Sequence, residues 1–250
     1  METDSQASTT TPEPQKVRRK NVFSKTRDAA APEFQLPTGL KFDSRLEMDG
    51  CEFLRLLPAE SVPAVFFDPQ YRGILDKMNY GNEGVDRGRQ RSALTQMKDE
   101  TITAFIHSIS KVLTPSGHLF LWTDKFHLCT GFSAWLEGTK LNTVDLITWE
   151  KTRMGMGYRT RRKSEYLVVL QKLPLRAKGV WTIHNIPDVW KENHKPNGWP
   201  HRKPVELQQR LIEAVTGPGE VVVDPAAGSF SVMEACMNSG RNFLGCDLNG

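Results

Sequence analysis

Residues 65–73 read Val-Phe-Phe-Asp-Pro-Gln-Tyr-Arg-Gly, an apolar run that stops at an acid, a proline and an aromatic ring. Proline has no backbone N–H and restricts the residue before it, so a strand cannot continue far past Asp68. We therefore predict a buried strand over residues 62–68, with Asp68, Pro69 and Tyr71 in a turn at its carboxyl end. In open α/β sheets that end is where ligands bind.

A second strand ends in the same way near the carboxyl terminus. Residues 221–230 read Val-Val-Val-Asp-Pro-Ala-Ala-Gly-Ser-Phe, and a helical pattern follows. A lone Asp-Pro is ordinary turn chemistry. Two strands that both end in Asp-Pro within one chain indicate a ligand site more strongly than either does alone.

Strand-like and helix-like patterns alternate along the chain. Strands are predicted over residues 40–48, 62–68, 117–123, 144–150, 165–170, 221–224 and 242–247. Helices are predicted over residues 50–59, 99–113, 125–136, 200–215 and 230–238. This alternation predicts an α/β fold with a doubly wound, mostly parallel, seven-stranded sheet.

Three segments depart from this alternation. Residues 1–37 are rich in Ser, Thr, Pro, Gln and charge, which predicts a disordered basic tail before a single domain over residues 38–250. Residues 72–98 predict a long loop, and a loop of that length inside a compact domain is usually functional or mobile. Residues 176–200 mix aromatics, prolines and asparagines and predict an irregular cover, either a lid or a structural element.

The basic residues are clustered although the net charge is only +4. Such clusters are usually solvated faces, but two of the three flank the predicted site, which favours binding to a phosphate backbone. The candidate nucleic-acid contacts are Arg72, Arg87, Arg89, Arg91, Arg159, Arg161 and Arg162.

The cysteines and the hydropathy limit the compartment. The four cysteines lie far apart and form no Cys-x-x-Cys pair, so we expect buried, reduced thiols and neither a disulfide framework nor a metal site. No apolar run is long enough to span a bilayer, and no secretory signal is visible. An intracellular protein is expected, cytoplasmic if it is bacterial or from a phage.

The motif Asp68-Pro-Gln-Tyr71, followed far along the chain by Asp224-Pro-Ala-Ala-Gly-Ser229, resembles the β-type (permuted) amino-methyltransferases of DNA. The resemblance covers roughly residues 42–249. It implies a circularly permuted class I methyltransferase fold over the domain, S-adenosyl-L-methionine as cofactor and DNA as partner, with the target adenine flipped from a duplex or presented in a single strand. The initial Asp resembles adenine N6 enzymes, in particular phage and prophage methylases with short or relaxed sequence specificity.

The resemblance also implies which residues form the site. Asp68, Pro69, Gln70 and Tyr71 are the catalytic motif: the Asp68 carboxylate and the Pro69 carbonyl accept hydrogen bonds from the target amino group, and Tyr71 stacks on the base. Gln70 stands where the usual motif has a second proline, and Phe230 stands where many relatives have glycine. The cofactor-binding candidates are Asp49, Lys203, Asp224, Ala226, Gly228, Ser229, Phe230 and Asp247.

Other functions remain open at this stage. Within the same class, the chain could methylate cytosine N4 or an RNA base. From a different class, it could be a catalytically inactive relative that binds nucleic acid through its basic clusters. A nicotinamide-dependent dehydrogenase is disfavoured because no Gly-x-Gly-x-x-Gly follows a strand. Labelled S-adenosylmethionine and single-base polymers would separate these alternatives.

Overall fold

The computed structural model describes residues 34–70, 97–155, 160–193 and 202–249. The predicted tail up to residue 33 and nearly all of the predicted 72–98 loop lie outside this part of the chain. The predicted site residues outside it are Tyr71, Arg72, Arg87, Arg89, Arg91 and Arg159.

One sheet of eight strands organises the described residues. The strands are β1 (Leu46–Glu47), β2 (Val62–Phe67), β3 (Leu113–Thr123), β4 (Leu141–Glu150), β5 (Ser164–Lys172), β6 (Val189–Lys191), β7 (Val221–Asp224) and β8 (Asn242–Asp247). Their order is β1-β8-β7-β2-β3-β5-β4-β6, and only β5 is antiparallel to its neighbours. The predicted α/β class and mostly parallel sheet are confirmed, with the last two strands of the chain inserted between β1 and β2.

Helices cover both faces of the sheet. They are α1 (Gly50–Leu56), α2 (Asp99–Val112), α3 (Lys125–Thr130), α4 (Val205–Val215) and α5 (Ser231–Ser239), with a 3-10 turn at Ser133–Leu136. Helices α1 and α2 pack in one apolar cluster, and α4 and α5 pack in another on the opposite face. Successive side chains of a strand point to opposite faces, so Val65 and Phe67 of β2 join the first cluster while Ala64 and Phe66 join the second.

The strand predictions were wrong in two places. An eighth strand, β6, lies inside the predicted irregular cover and pairs with β4 at Thr148–Glu150. The predicted strand over residues 40–48 shortens to β1 because the chain turns at Asp43, which has a left-handed φ of 54°. Asp43 still attaches this turn to the sheet, since its carboxylate accepts a hydrogen bond from the Phe243 N–H at 2.9 Å.

Two further expectations need correction. The predicted helix over residues 125–136 is divided, because Gly131 adopts a φ of 99° and ends α3. The expectation of buried thiols holds for Cys236 and Cys246 but not for Cys129, which is exposed because no residue of the short α3 is buried. Among the described helices, none combines the length and the apolar character needed to cross a membrane.

Candidate active site

The two predicted strand ends meet at one edge of the sheet. Strands β2 and β7 are parallel neighbours, with Val65 opposite Val223, so Asp68 and Asp224 follow at the same carboxyl edge. The strand order diverges on either side of this pair, which is the crevice where doubly wound sheets bind ligands. Sequence positions 156 residues apart therefore contribute to one site.

The catalytic motif leaves β2 in an extended turn. Asp68 is partly exposed, Pro69 is buried and Gln70 is exposed. The Gln70 carbonyl accepts a hydrogen bond from the Met97 N–H at 2.7 Å. The two ends of the predicted 72–98 loop are thereby joined next to the motif.

Asp224 is a buried acid at the end of β7, with only 6% of its surface exposed. Its Oδ1 accepts a hydrogen bond from the Ala226 N–H at 3.1 Å. Burial raises the pKa of Asp224 to about 8, against the effect of the Ala226 N–H, and the negative charges of Asp68 and Asp247 add to the rise. A buried acid with a strongly raised pKa in a crevice is a candidate for a functional residue.

The turn between β7 and α5 is bound to the end of β8. Asp247 Oδ2 accepts from the Gly228 N–H at 3.1 Å, and its Oδ1 accepts from the Asn249 N–H at 3.1 Å. Gly228 has a φ of 49°, and apart from its two chain neighbours no described residue has an atom within 4 Å of the point where a Cβ would stand. Space for a ligand therefore lies directly against backbone at this turn.

Two residues of the turn complete this side of the site. Ser229 is partly exposed, whereas Phe230 is buried and adopts a left-handed φ of 55° at the start of α5. This conformation favours glycine, since it costs a side-chain-bearing residue about 1 kcal/mol or more. The Phe230 ring packs edge-on to Phe243 and under the Arg45 guanidinium at 5.0 Å.

Asp49 lies at the same edge but its carboxylate caps a helix. Its Oδ1 accepts hydrogen bonds from the N–H groups of Cys51 and Glu52 at the start of α1. The preceding strand β1 pairs Glu47 with Asp247, which brings Asp49 close to the β8 end. Only glycine fits at position 50, because a Cβ there would collide with the Pro225 carbonyl oxygen.

Lys203 lies on the Asp68 side of the site. Its Nζ is 2.8 Å from Asp68 Oδ2 and 2.9 Å from Glu165 Oε2. It also lies 5.1 Å from the centre of the Trp122 ring. The cofactor role that the resemblance gives to this lysine remains a prediction, and the contacts bring its ammonium to the Asp68 carboxylate.

Glu165, Lys151 and Trp122 are not among the predicted site residues, although the sequences around Lys151 and Glu165 resemble minor motifs of the permuted amino-methyltransferases around the target base. Glu165 opens β5 opposite Trp149, and its Oε1 pairs with the Lys151 ammonium across the β4–β5 hairpin. The one available signal was the sequence Trp149-Glu-Lys151 followed by Glu165-Tyr166, in which opposite charges flank a basic loop.

The basic loop between β4 and β5 projects from the same edge. The hairpin loop, residues 151–163, closes through hydrogen bonds from Lys151 N–H to the Lys163 carbonyl and from Gly155 N–H to the Arg162 carbonyl. Arg161 is exposed, and its Nε donates to the Gly155 carbonyl at 3.1 Å. Arg162 is partly buried, and one of its guanidinium nitrogens has no partner among the described residues.

Comparisons with known proteins agree with this geometry. The profile of the DNA methylase family N6_N4_Mtase matches residues 62–250. The type II methyltransferase M.HhaII of Haemophilus parahaemolyticus is 55% identical over 203 residues, covering 81% of this chain and 89% of that protein.

Two solved structures share the fold at low identity. The M1.HpyAVI–SAM complex has a TM-score of 0.58 and 18% identity, covering 82% of this chain and 92% of that one. The cytosine-N4-specific PvuII DNA methyltransferase has a TM-score of 0.62 and 16% identity, covering 84% and 85%. The chain belongs to the N6/N4 DNA methylase family, and it is an S-adenosylmethionine-dependent DNA methyltransferase.

Proposed function

We propose that the enzyme methylates the exocyclic N6 of adenine in DNA. The observation that supports adenine is the acid at the start of the catalytic motif: Asp68 lies at the β2 end with its carboxylate against the Lys203 ammonium at 2.8 Å. Motifs that begin with Asp resemble adenine N6 enzymes, whereas cytosine N4 enzymes more often begin with Ser. An ionised carboxylate only accepts hydrogen bonds, which suits an amino group as its partner.

The residues at the β7 and β8 ends fit S-adenosylmethionine, which supplies a methyl group bound to a cationic sulfur. We infer that Asp224 and the Gly228 turn hold its methionine portion, because a buried acid and close backbone suit a cationic amino acid. Asp247 would accept hydrogen bonds from ribose hydroxyls, and Asp49 would face the adenine amine. Ala226, Ser229 and Phe230 would shape the turn.

The catalytic motif would make the amino nitrogen reactive. The lone pair of an exocyclic base nitrogen is delocalised into the ring, so the nitrogen is a poor nucleophile. Two acceptors, the Asp68 carboxylate and the Pro69 carbonyl, would bind its two hydrogens and favour a pyramidal nitrogen with its lone pair directed at the methyl group. A positioned polar contact of this kind contributes roughly 10²- to 10³-fold in rate.

The target base must leave the stack before this contact can form. Its amino group is inaccessible inside a duplex, so enzymes that act on bases flip the nucleotide or use single-stranded substrate. Tyr71 would stack on the flipped adenine and Gln70 would contact it or the adjoining turn. Both roles remain predictions, and Tyr71 lies outside the described residues.

Product analysis tests the proposal. Random-sequence duplex DNA would be incubated with the enzyme and labelled S-adenosylmethionine, digested to nucleosides and separated by chromatography. We expect all of the label in N6-methyldeoxyadenosine and none in N4-methyldeoxycytidine. Label in the cytosine product would overturn the adenine assignment, and labelling of matched RNA but not of DNA would overturn the assignment of DNA as the substrate. Mapping of the methylated adenines would test short or relaxed specificity.

We propose further that the hairpin loop and the arginines of the 72–98 loop bind DNA phosphates. Arg153, Arg161 and Lys163 are exposed on the hairpin loop at the edge that carries Asp68. Contacts from arginine side chains to phosphates position the nucleic-acid backbone and carry no sequence information directly. Arg72, Arg87, Arg89, Arg91, Arg159 and Arg162 are proposed to extend the same surface.

Replacing Arg161 with alanine should flatten the salt dependence of DNA binding. Each phosphate contact contributes a slope of about 0.9 in a plot of log affinity against log salt for duplex DNA. We expect the slope to fall by roughly that amount, with all adenine contexts methylated more slowly by the same factor. Arg176→Ala is the control, because Arg176 is exposed beyond the opposite end of β5. An equal change in the control, or altered neighbour preference in R161A, would contradict the proposal.

A further inference from the structure

A row of four alternating charges runs along the carboxyl edge of the sheet. Lys203 Nζ lies between Asp68 Oδ2 at 2.8 Å and Glu165 Oε2 at 2.9 Å. The other oxygen of Glu165 pairs with Lys151, whose ammonium is 4.8 Å from the centre of the Trp149 ring. The row begins at Asp68 in the catalytic motif and ends at Lys151, the first residue of the hairpin loop.

The central lysine is buried and permanently charged. The Lys203 side chain is 15% exposed and lies over the ring of Trp122, which is itself fully buried. Burial alone would lower the pKa of Lys203, but Asp68 and Glu165 outweigh it and hold the pKa above its ordinary value. Burial alone would likewise raise the pKa of Glu165, which Lys203 and Lys151 hold at about 2.

The backbone of Lys203 is also held in place. Pro204 restricts the conformation of the residue before it and stands at the N-terminus of α4. Glu192 of the cover segment caps this helix, with its carboxylate accepting from the N–H groups of Glu206 and Leu207. On the other side of Lys203, Arg202 is paired with Glu234 of α5.

We propose that Lys203 is a positioning residue for the Asp68 carboxylate, and that Glu165 orients Lys203 for this task. The inference rests on the proposed role of Asp68 as an acceptor for the target amino group. It assigns Lys203 to the base-binding half of the site and not to the cofactor, the role that the motif resemblance implies.

The physical consequence is a fixed acceptor. A carboxylate on a short side chain rotates over a broad range about its last bond, and an ammonium bound to Oδ2 restricts that rotation. The second oxygen of Asp68 then keeps a constant direction, because the first is held by a charge-assisted hydrogen bond from the ammonium. Glu165 keeps the Lys203 ammonium next to Asp68, because it accepts a second hydrogen of the same ammonium and thereby restricts the flexible lysine side chain.

The test compares Lys203→Met, Lys203→Arg and Glu165→Gln in the full chain. Tritium transfer from S-adenosylmethionine to duplex DNA gives kcat at saturating cofactor, and calorimetry gives the cofactor dissociation constant. We expect K203M to lower kcat by about 10²-fold while the dissociation constant changes by no more than about threefold. The direct contacts described for the Lys203 ammonium are to Asp68, Glu165 and the Trp122 ring, and its charge is the smallest of the effects on the pKa of Asp224, the proposed cofactor residue. E165Q should lower kcat by about tenfold. K203R keeps the positive charge in a larger, planar group, so it should recover part of the loss in K203M.

Lys172→Met provides the matched control. Lys172 is a buried lysine at the opposite end of β5, bonded to Glu60 at 3.1 Å and to the Leu113 carbonyl at 2.7 Å. It should lower the melting temperature with little effect on kcat, which separates a loss of stability from a loss of positioning. E165Q, which keeps the side-chain shape, serves if K203M does not fold.

Three results would overturn the proposal: a large rise in the cofactor dissociation constant of K203M with kcat intact, no recovery in a folded K203R, or an equal loss of kcat in K172M. The tritium assay counts methyl groups on any base. A cytosine product would therefore overturn the adenine assignment and leave this comparison valid.

Discussion

Asp68→Ala is expected to abolish methyl transfer, with a loss of about 10³-fold in kcat, the upper range for removal of one positioned polar group. The carboxylate is proposed to act on the base and not on the cofactor, so the dissociation constant of S-adenosylmethionine should stay nearly unchanged. In this variant Lys203 loses its contact with Asp68 and keeps the described ion pair with Glu165. Single-turnover transfer of tritium to DNA and calorimetric binding of the cofactor give the two quantities.

Two companion variants sharpen this experiment. Asp68→Asn keeps the shape but lacks the charge and one acceptor, so it should remain within about tenfold of the alanine variant. Asp145→Ala removes an exposed acid from β4 and should leave kcat intact. If Asp68→Ala weakens cofactor binding as severely as it lowers kcat, Asp68 belongs to the cofactor site and the two strand ends have been assigned in the wrong order.

The two strand ends could be predicted because their signals are local. An apolar run that stops at Asp-Pro determines where β2 and β7 end, and the turn at Gly228 with its positive φ follows from the sequence directly after β7. That β2 and β7 are neighbours was implied only by the resemblance to the permuted methyltransferases, and the structure pairs the two strands in parallel.

The direction of a long side chain could not be predicted in this way. The predicted helix over residues 200–215 begins only at Val205, after Pro204, so Lys203 lies before α4. Its ammonium reaches Asp68 because Glu165, on a strand 38 positions earlier, binds it from the other side. The short strand β6 was also missed, because Val189–Lys191 pairs with only three residues of β4 and is surrounded by prolines and asparagines. Both features depend on partners distant in the sequence.

The affinity for S-adenosylmethionine should rise with pH, and Asp224 is the expected cause. Burial, together with the charges of Asp68 and Asp247, raises the pKa of Asp224 to about 8 in the absence of a ligand, although the Ala226 N–H opposes the rise. At pH 6 only about 1% of this group is ionised, against about half at pH 8. If the cofactor cation requires the ionised form, its apparent dissociation constant should fall roughly 50-fold between these pH values.

Asp224→Asn separates this effect from titration of the cofactor's own amino group, which has an ordinary pKa near 8. The amide resembles the protonated acid, so the variant and the parent enzyme should bind with similar affinity at pH 6 and diverge as the pH rises. The same shift has an opposite consequence for stability without cofactor. The neutral Asp224 stabilises the fold fully below its unfolded pKa of about 3.8, and this contribution is lost as the pH rises through about 8.

The variant should therefore melt at a higher temperature than the parent apoenzyme at pH 8, while it binds cofactor more weakly. Calorimetry at pH 6.0, 7.0 and 8.0 and thermal unfolding at the same values measure both effects. Parallel pH profiles for parent and variant would show that Asp224 stays ionised throughout or does not face the cofactor. In that case Asp247, whose Oδ2 is bound to Gly228 at 3.1 Å, becomes the acid that has to be tested in its place.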